Sequence, residues 1–286
     1  MPAKFYKILL ILGIVLVLLA IPVFGLTYNP PSELEVDFLD VGQGDAILIK
    51  SPFGQNILID GGPDNKVIAE LDKSLPFWDK QIDLIILTHP HDDHVAGLIE
   101  VIKRYQVKKI IYTGVVHTSP NYLVWLELVA NRKIPLIIAD RPQTISLGED
   151  CYLKILYPLE SFLNKTVANL NNSSMVVKLV YKENKFLFTG DAEKEVEEEL
   201  MANSFKLLPS DVLKLGHHGS DTSSSQDFLQ LISPEIAIIQ VGEDNDFGHP
   251  SRRIIKRLER LDVKILRTDI DGTVRLVGDG EKVREK

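Results

Sequence analysis

The segment Thr88–His94, which reads THPHDDH, is the feature that most constrains this chain of 286 residues. It follows an apolar run, Ile82–Leu87, that is typical of a buried strand, and it precedes a helix-like pattern that begins near Val95. Three imidazoles and two carboxylates therefore lie in one strand-to-helix turn, a combination that suits zinc and neighbouring first-row metals. The spacing directs successive side chains to different points, so that one turn can serve two ions. A solvated, histidine-rich loop is the alternative.

The N-terminus predicts a membrane segment. Lys4 and Lys7 precede Ile8–Leu26, a run of 19 residues without a charge. That length just spans a bilayer as a helix, and basic residues before it favour a cytoplasmic N-terminus with the remainder exported. We therefore expect residues 1–33 to form a single-pass anchor in the cell membrane and a tether, with the rest of the chain extracytoplasmic. A cleaved signal segment, which would make the protein secreted, is the alternative.

The rest of the chain, residues 34–286, alternates short strands with helices and contains no linker. This pattern predicts one domain of the α/β class. The single cysteine, Cys151, excludes an internal disulfide. The net charge of −8 argues against a broad phosphate-binding surface, so any nucleic acid would need a local basic track or bound metal.

Six of the seven histidines fall into three loop motifs, and only His117 lies outside them. The second motif, His217–Ser220, follows a predicted strand, and the third, Gly248–Pro250, precedes a predicted helix. Asp191 follows another strand, where a carboxylate could bridge two cations or could instead cap the next helix. Such clustering of histidines is difficult to explain by packing alone.

The motifs together resemble those of a known family. Four segments resemble the metallo-β-lactamase superfamily: His89–His94, Asp60–Gly62, Thr189–Asp191 and His217–Ser220. Four others resemble the metallohydrolase domain of ComEC-type competence proteins: Phe38–Ala46, Asn171–Ser174, Phe247–Ser251 and Thr268–Gly272. The resemblance covers residues 34–276. It implies an α/β fold, an αββα sandwich with metals at the open edge between two sheets, here preceded by one N-terminal transmembrane helix.

The resemblance also implies roles for individual residues. The implied metal ligands are His89, His91, Asp93, His94, Asp191 and His217, with His218 as the alternative to His217. Asp60 orients the site, and Asp45 and His249 face substrate. Asn171 and Ser220 are further candidates for substrate contact or orientation.

The chain departs from the superfamily at one ligand position. Another histidine is usual between the first motif and the bridging aspartate, but the segment 169–174 reads NLNNSS. The ComEC-type group shares this absence, so one metal is weakly held, completed by Asn171 or water, or missing. We therefore expect one or two divalent ions, zinc first and manganese as the alternative.

The leading functional hypothesis is a metal-dependent phosphodiester hydrolase, specifically an extracytoplasmic nuclease related to DNA uptake. Asp93 would orient an activated water and take its proton, while His249 or His218 would contact the phosphate or protonate the leaving group. The expected partners are DNA or another phosphodiester, and the membrane through the N-terminal helix. A phosphodiesterase acting on small or cell-surface phosphoesters is one alternative. A non-catalytic binding or scaffold protein that retains the fold is another.

Overall fold

The structure is a computed structural model that describes Tyr6, Leu10, Leu12, Ile14 and residues 33–286. Two large sheets dominate it. The strands are, in chain order, β1 (Leu34–Phe38), β2 (Ile47–Lys50), β3 (Asn56–Ile59), β4 (Gln81–Ile82), β5 (Leu84–Leu87), β6 (Gln106–Val107), β7 (Ile110–Tyr112), β8 (Leu136–Ile138), β9 (Gln143–Gly148), β10 (Cys151–Tyr157), β11 (Val176–Tyr181), β12 (Asn184–Phe188), β13 (Val212–Lys214), β14 (Ile236–Ile239), β15 (Lys264–Arg267), β16 (Val274–Gly278) and β17 (Val283–Glu285).

The first sheet has the spatial order β17-β16-β1-β2-β3-β5-β7-β8, and the second has the order β15-β14-β13-β12-β11-β10-β9. A two-stranded ribbon pairs β4 with β6. The helices are α1 (Lys66–Ser74), α2 (Asp92–Arg104), α3 (Pro120–Arg132), α4 (Lys194–Ser204), α5 (Gln226–Ile232), α6 (Arg252–Arg260) and α7 (Thr268–Asp271), with short 3-10 turns at Asn171–Ser173, Phe205–Leu207 and Gly216–Gly219.

Successive residues along the strands point to opposite faces of each sheet. In β2 and the residue before it, Ile47 and Ile49 join the core between the two sheets, whereas Ala46 and Leu48 join a second core. In β14, Ile238 faces the first core and Ala237 faces a third. Because successive side chains of a strand point to opposite faces, both sheets bury both surfaces.

The helices cover the two outer faces. Helices α1, α2 and α3 contribute Val67, Leu98 and Trp125 to the core on the first sheet. Helices α4, α5 and α6 contribute Leu200, Phe228, Leu258 and others to the core on the second sheet. The arrangement is the predicted αββα sandwich.

Parallel pairing places the functional loops at one edge. In the first sheet β3, β5 and β7 run parallel, and in the second sheet β12, β13, β14 and β15 do. Carboxyl ends of parallel strands meet at the same edge, where ligands usually bind. The loops after β3, β5, β12 and β13 carry Asp60, the Thr88–His94 motif, Asp191 and His217–Ser220.

The predicted membrane location is contradicted. A membrane-spanning helix needs about 20 consecutive apolar residues. Across Tyr6, Leu10, Leu12, Ile14 and residues 33–286, no helix has the length and apolar character to cross a bilayer. The predicted span over residues 8–26 and the predicted tether lie mostly outside the described residues.

Candidate metal centre

The Thr88–His94 turn begins at the end of β5 and continues into α2. His91 has extended backbone angles, φ −67° and ψ 151°, and stands immediately before the helix. Asp92 and Asp93 occupy its first turn, where negative charge is favourable beside the unpaired backbone N–H groups. The turn therefore presents His89 from the strand end and Asp93 and His94 from the helix.

Asp60 fixes the orientation of His94. Its Oδ1 accepts the backbone N–H of Thr88 at 2.8 Å, and its Oδ2 accepts the Thr88 hydroxyl at 2.6 Å. The same Oδ2 lies 2.8 Å from His94 Nδ1. Because Nδ1 is engaged, the Nε2 atom of His94 points the other way, where it is buried without a hydrogen-bond partner.

A close contact between α2 and the turn after β3 holds Asp60 and His94 together. The Gly97 N–H donates to the Gly62 carbonyl at 3.0 Å, and the Gly61 N–H donates to the His94 carbonyl at 2.8 Å. A Cβ atom on Gly97 would lie 1.9 Å from the Gly61 oxygen, so only glycine permits this approach.

Asp191 lies between the histidines of the two sheets. Its Oδ2 is 3.3 Å from His94 Nε2, 3.6 Å from His218 Nε2 and 3.7 Å from His89 Nε2. Its backbone N–H donates to Ser174 Oγ at 3.0 Å. The N-cap residue of α4 is Glu193 and not Asp191, which favours the ligand interpretation of Asp191 over a helix cap. The second carboxylate oxygen, Oδ1, is buried and has no hydrogen-bond partner.

Two groups of donor atoms share Asp191. One consists of Asp93, His94, Asp191 and His218, and the other of His89, His91 and Asp191; within each group the donor atoms lie within 4.8 Å of one another. Unpartnered buried atoms are costly unless something binds them. The orphaned His94 Nε2 and Asp191 Oδ1, with the imidazole and carboxylate chemistry of both groups, fit divalent metal ions.

The structure brings His218 rather than His217 into the cluster. His218 Nε2 lies 3.2 Å from Asp93 Oδ2, and its Nδ1 is 2.9 Å from the carbonyl oxygen of Gln240. His217 Nδ1 instead lies 3.1 Å from a carboxylate oxygen of Glu193. Both histidines have left-handed backbone angles, φ 49° and 53°, within a 3-10 turn, so their rings diverge. The geometry therefore favours the alternative ligand over the first choice.

The family follows from this fold and from a sequence comparison. A family model described as the metallo-beta-lactamase superfamily matches residues 39–243. The chain belongs to this superfamily. It is a metallo-β-lactamase-fold metallohydrolase with histidine and aspartate clusters able to bind metal ions.

Three known proteins are similar to the chain, two in sequence and one in fold alone. ComE operon protein 3 of Bacillus subtilis is 32% identical over 260 residues, which are 85% of this chain and 33% of that protein. Competence protein ComA of Neisseria gonorrhoeae is 29% identical over 246 residues, 86% of this chain and 32% of that protein. The chain thus spans about a third of the length of these relatives. CmlA, a diiron β-hydroxylase from Streptomyces venezuelae, shares the fold with a TM-score of 0.54 at 14% identity, over 90% of this chain and 55% of that one.

Opposing charges shift the pKa values of this metallo-β-lactamase centre. Burial opposes ionisation of Asp191, but the imidazoles of His218 and His94 outweigh it and hold the pKa of that carboxyl well below its usual value. Burial likewise opposes charge on His218, yet Asp191 and Asp45 raise its pKa to about 10. Burial lowers the pKa of His89 well below its usual value. A metal ion must therefore displace a proton from His218, and we expect metal affinity to fall as the pH falls.

Asp45 lies behind His218 and is closed off from solvent. It is 1% exposed, and its Oδ2 accepts from the fully buried Lys214 Nζ at 2.6 Å. Its Oδ1 is 3.3 Å from His218 Nδ1. Ser220 is also withdrawn, with its hydroxyl 3.1 Å from that of Thr222. Asp45 contacts the loop that carries His218, and Ser220 lies in that loop. Asp45 was expected to face the substrate, but the structure places it between Lys214 and His218.

The centre opens to solvent through a cavity of about 590 Å³. Its walls include Asn171, as expected, and His217. They also include residues to which the sequence analysis assigned no role in the site, among them Gln43, His117, Ser119 and Phe247. His249 does not line the cavity but packs beside it, its ring centroid 5.5 Å from that of His217.

His117 and Glu193 are the clearest residues that the sequence analysis missed. His117 follows β7, whose carboxyl end lies at the same edge as that of β5, and parallel pairing could have identified it. Glu193 accepts from Asn171 and Thr222 at 3.1 and 2.9 Å, in addition to facing His217. Glu193 lies in an acidic run that resembles an ordinary solvated helix face, so the sequence does not indicate that it belongs to the site.

Proposed function

We propose that the chain is a metal-dependent phosphodiester hydrolase that acts on nucleic acid. The observation that carries this proposal is the position of Asp191, which joins two groups of metal-ligating atoms at the base of an open cavity. Two cations on either side of a shared carboxylate are a recurrent arrangement for in-line displacement at phosphorus.

The metals would be held by residues already positioned. Asp93, His94, Asp191 and His218 would hold one ion, and His89, His91 and Asp191 the other. We propose zinc, with manganese as the alternative, because imidazole and carboxylate donors suit both. When bound, such ions supply a nucleophile near neutral pH and neutralise charge on the phosphoryl oxygens. The second group lacks the histidine usual in the superfamily, and the buried, unpartnered Oδ1 of Asn171 is the proposed substitute.

Three side chains would handle protons and the phosphate. The pKa of Asp93 is lowered, since the neighbouring imidazoles outweigh its burial, so this carboxylate is ionised and can accept a proton. His218 keeps it in place through the 3.2 Å contact. Burial lowers the pKa of His249, whose ring packs against His217 at the cavity wall. From this position it would donate a hydrogen bond to a phosphoryl oxygen or the leaving group of a substrate that extends past His217.

Two observations support nucleic acid as the substrate. One of the similar proteins is named a competence protein, and the chain matches about a third of it. The second observation is Phe247, whose exposed aromatic ring lines the cavity at its mouth. We further propose that this activity serves DNA uptake.

The test is hydrolysis of plasmid DNA, single-stranded DNA and bis-p-nitrophenyl phosphate by the protein reconstituted with zinc or manganese. We expect cleavage of DNA that Asp191→Asn abolishes and that the surface variant Asp140→Asn retains. Activity on the small ester alone would favour a phosphodiesterase of small or cell-surface phosphoesters. Less than one equivalent of bound metal, with no activity on any substrate, would favour a binding or scaffold protein.

A further inference from the structure

The loop between β14 and α6 carries an aromatic pair at the cavity mouth. Phe247 is 69% exposed and also lines the cavity. Its ring lies 5.9 Å from that of His249 with an interplanar angle of 16°. His249 in turn packs against His217. The three rings form a row of contacts beside the metal centre, and the rings at its two ends, Phe247 and His217, line the cavity; we term this row the aromatic platform.

The loop that holds the platform is fixed at both ends and across its middle. The Gly242 N–H donates to the Gln43 side chain at 3.2 Å, and the Ser251 N–H donates to the Gly219 carbonyl at 2.9 Å. Asn245 spans the loop, because its amide donates to the carbonyls of Gly242 and His249 and its oxygen accepts the His249 N–H. The backbone that carries Phe247 is therefore fixed by the folded loop, and the stacked contact with His249 supports one face of its ring.

The charges around the platform favour contact with a base at Phe247 and contact with phosphates on α6. Glu243, Asp244 and Asp246 are exposed on the same loop. Their carboxylates would repel phosphate, so a nucleotide would contact Phe247 through its base. Basic side chains follow directly on α6, where Arg252, Arg253 and Lys256 are exposed. A strand whose base stacks on Phe247 would thus have its phosphates on the α6 side.

We propose that the aromatic platform stacks an unpaired base of the substrate, which makes single-stranded nucleic acid the preferred substrate class. This inference rests on the proposed function. Stacking of bases on exposed aromatic side chains tolerates any sequence and depends little on charge, which suits a protein with a net charge of −8. A base inside a duplex is already stacked on both faces and would have to be extruded first.

The test compares binding of a fluorescein-labelled oligothymidylate and an abasic oligonucleotide of the same length by the metal-loaded protein. We expect Phe247→Ala to weaken binding of the oligothymidylate by about fivefold to a hundredfold, and binding of the abasic strand much less. Phe247→Trp should restore the preference for the strand with bases. The control is Phe77→Ala, which removes another exposed aromatic ring that does not line the cavity.

Catalysis gives a second readout. The ratio of kcat/KM for the oligothymidylate to that for bis-p-nitrophenyl phosphate should fall about tenfold in Phe247→Ala. The inference would be overturned if Phe247→Ala weakened binding of strands with and without bases equally. Equal rates of cleavage of duplex and single-stranded DNA by the unmodified protein would also overturn it. A protein that hydrolyses no phosphodiester but still prefers strands with bases would refute the proposed function and leave the platform supported.

Discussion

Lys214 and Asp45 form an ion pair that is closed off from solvent, with Nζ 2.6 Å from Oδ2. Lys214 ends β13 of the second sheet, and Asp45 precedes β2 of the first. The other oxygen of Asp45 faces His218 Nδ1 at 3.3 Å. Burial opposes ionisation of Asp45, but Lys214 lowers its pKa. The ion pair therefore keeps a negative charge behind a candidate metal ligand, which sets the side of the imidazole that carries its proton.

Removal of the Lys214 ammonium should lower the stability of the fold. Lys214→Met leaves the buried carboxylate of Asp45 without its counter-charge, and we expect a loss of about 3–5 kcal/mol in the free energy of unfolding. Urea denaturation measures it. Lys103→Met, which removes an exposed ion pair with Glu100 on α2, is the matched control and should cost less than about 1 kcal/mol. Similar losses in the two variants would contradict the importance of the buried pair.

Substitutions of His217 and His218 should have very different effects on metal affinity. His218→Ala removes a donor of the first ligand group, so we expect metal affinity to fall by more than about 100-fold, beyond what loss of an orienting residue costs. His217→Ala removes a ring that faces Glu193 and should change metal affinity by less than about tenfold. Competition with a chromophoric chelator measures both. A larger loss in the His217 variant would reassign the ligand.

Asp60 should act on the metal through His94. Two donors from Thr88 and the His94 ring converge on this carboxylate, and asparagine keeps only one of its two acceptor oxygens. We expect Asp60→Asn to lower metal affinity by about 10–100-fold. Asp64→Asn, near the start of α1, is the control at a position that accepts only a local backbone bond. Unchanged metal affinity in Asp60→Asn would show that His94 is oriented by other contacts.

Lys178 predicts a pH dependence of stability that is separate from the metal. It is buried in β11, where its Nζ donates to the carbonyls of Leu207 and Pro209 at 2.7 and 2.5 Å. Burial lowers its pKa from 10.5 to about 8. Between these values the unfolded chain binds more protons than the folded one, so the destabilising contribution that is present below pH 8 is lost as the pH rises towards 10.5.

The matched variant for this effect is Lys178→Met, which cannot titrate. We expect the free energy of unfolding of the unmodified protein to rise relative to that of the variant between pH 8 and 10.5, and their difference to stay constant below pH 8. Denaturant unfolding at a series of pH values measures it. A constant difference across the whole range would mean that the folded protein does not perturb Lys178.

Regular patterns predicted one α/β domain and most of its central strands but not the strands at the sheet edges, whereas the αββα sandwich was implied by the family resemblance. Apolar runs such as Leu84–Leu87 identified the central strands, because strands buried on both faces are continuously hydrophobic. The edge strand β9 was missed, since it alternates exposed and partly buried residues and includes Gln143. The strands β16 and β17 near the C-terminus were missed as well, and pairing with β1 over a long sequence separation forms part of that edge.

The candidate site was predictable where the chain is locally regular. His89, His94 and Asp191 follow strand ends, so topology alone brings them together. The distinction between His217 and His218 was not predictable, because it depends on left-handed backbone angles at two adjacent residues. Phe247 was noted only as part of a motif, since its exposure at the cavity mouth follows from the fold of an irregular loop, which Asn245 spans with hydrogen bonds.

The ligand loops belong to different sheets, and the interior of the sandwich lies beneath them. Phe38 of the first sheet packs against Phe188 of the second, with ring centroids 6.1 Å apart. Phe188 stands three residues before Asp191, so a change in the bulk of either ring would shift one set of donor atoms relative to the other. Substitutions in the apolar core beneath the ligand loops are therefore a route by which selection can adjust the spacing of the donor atoms without changing a ligand.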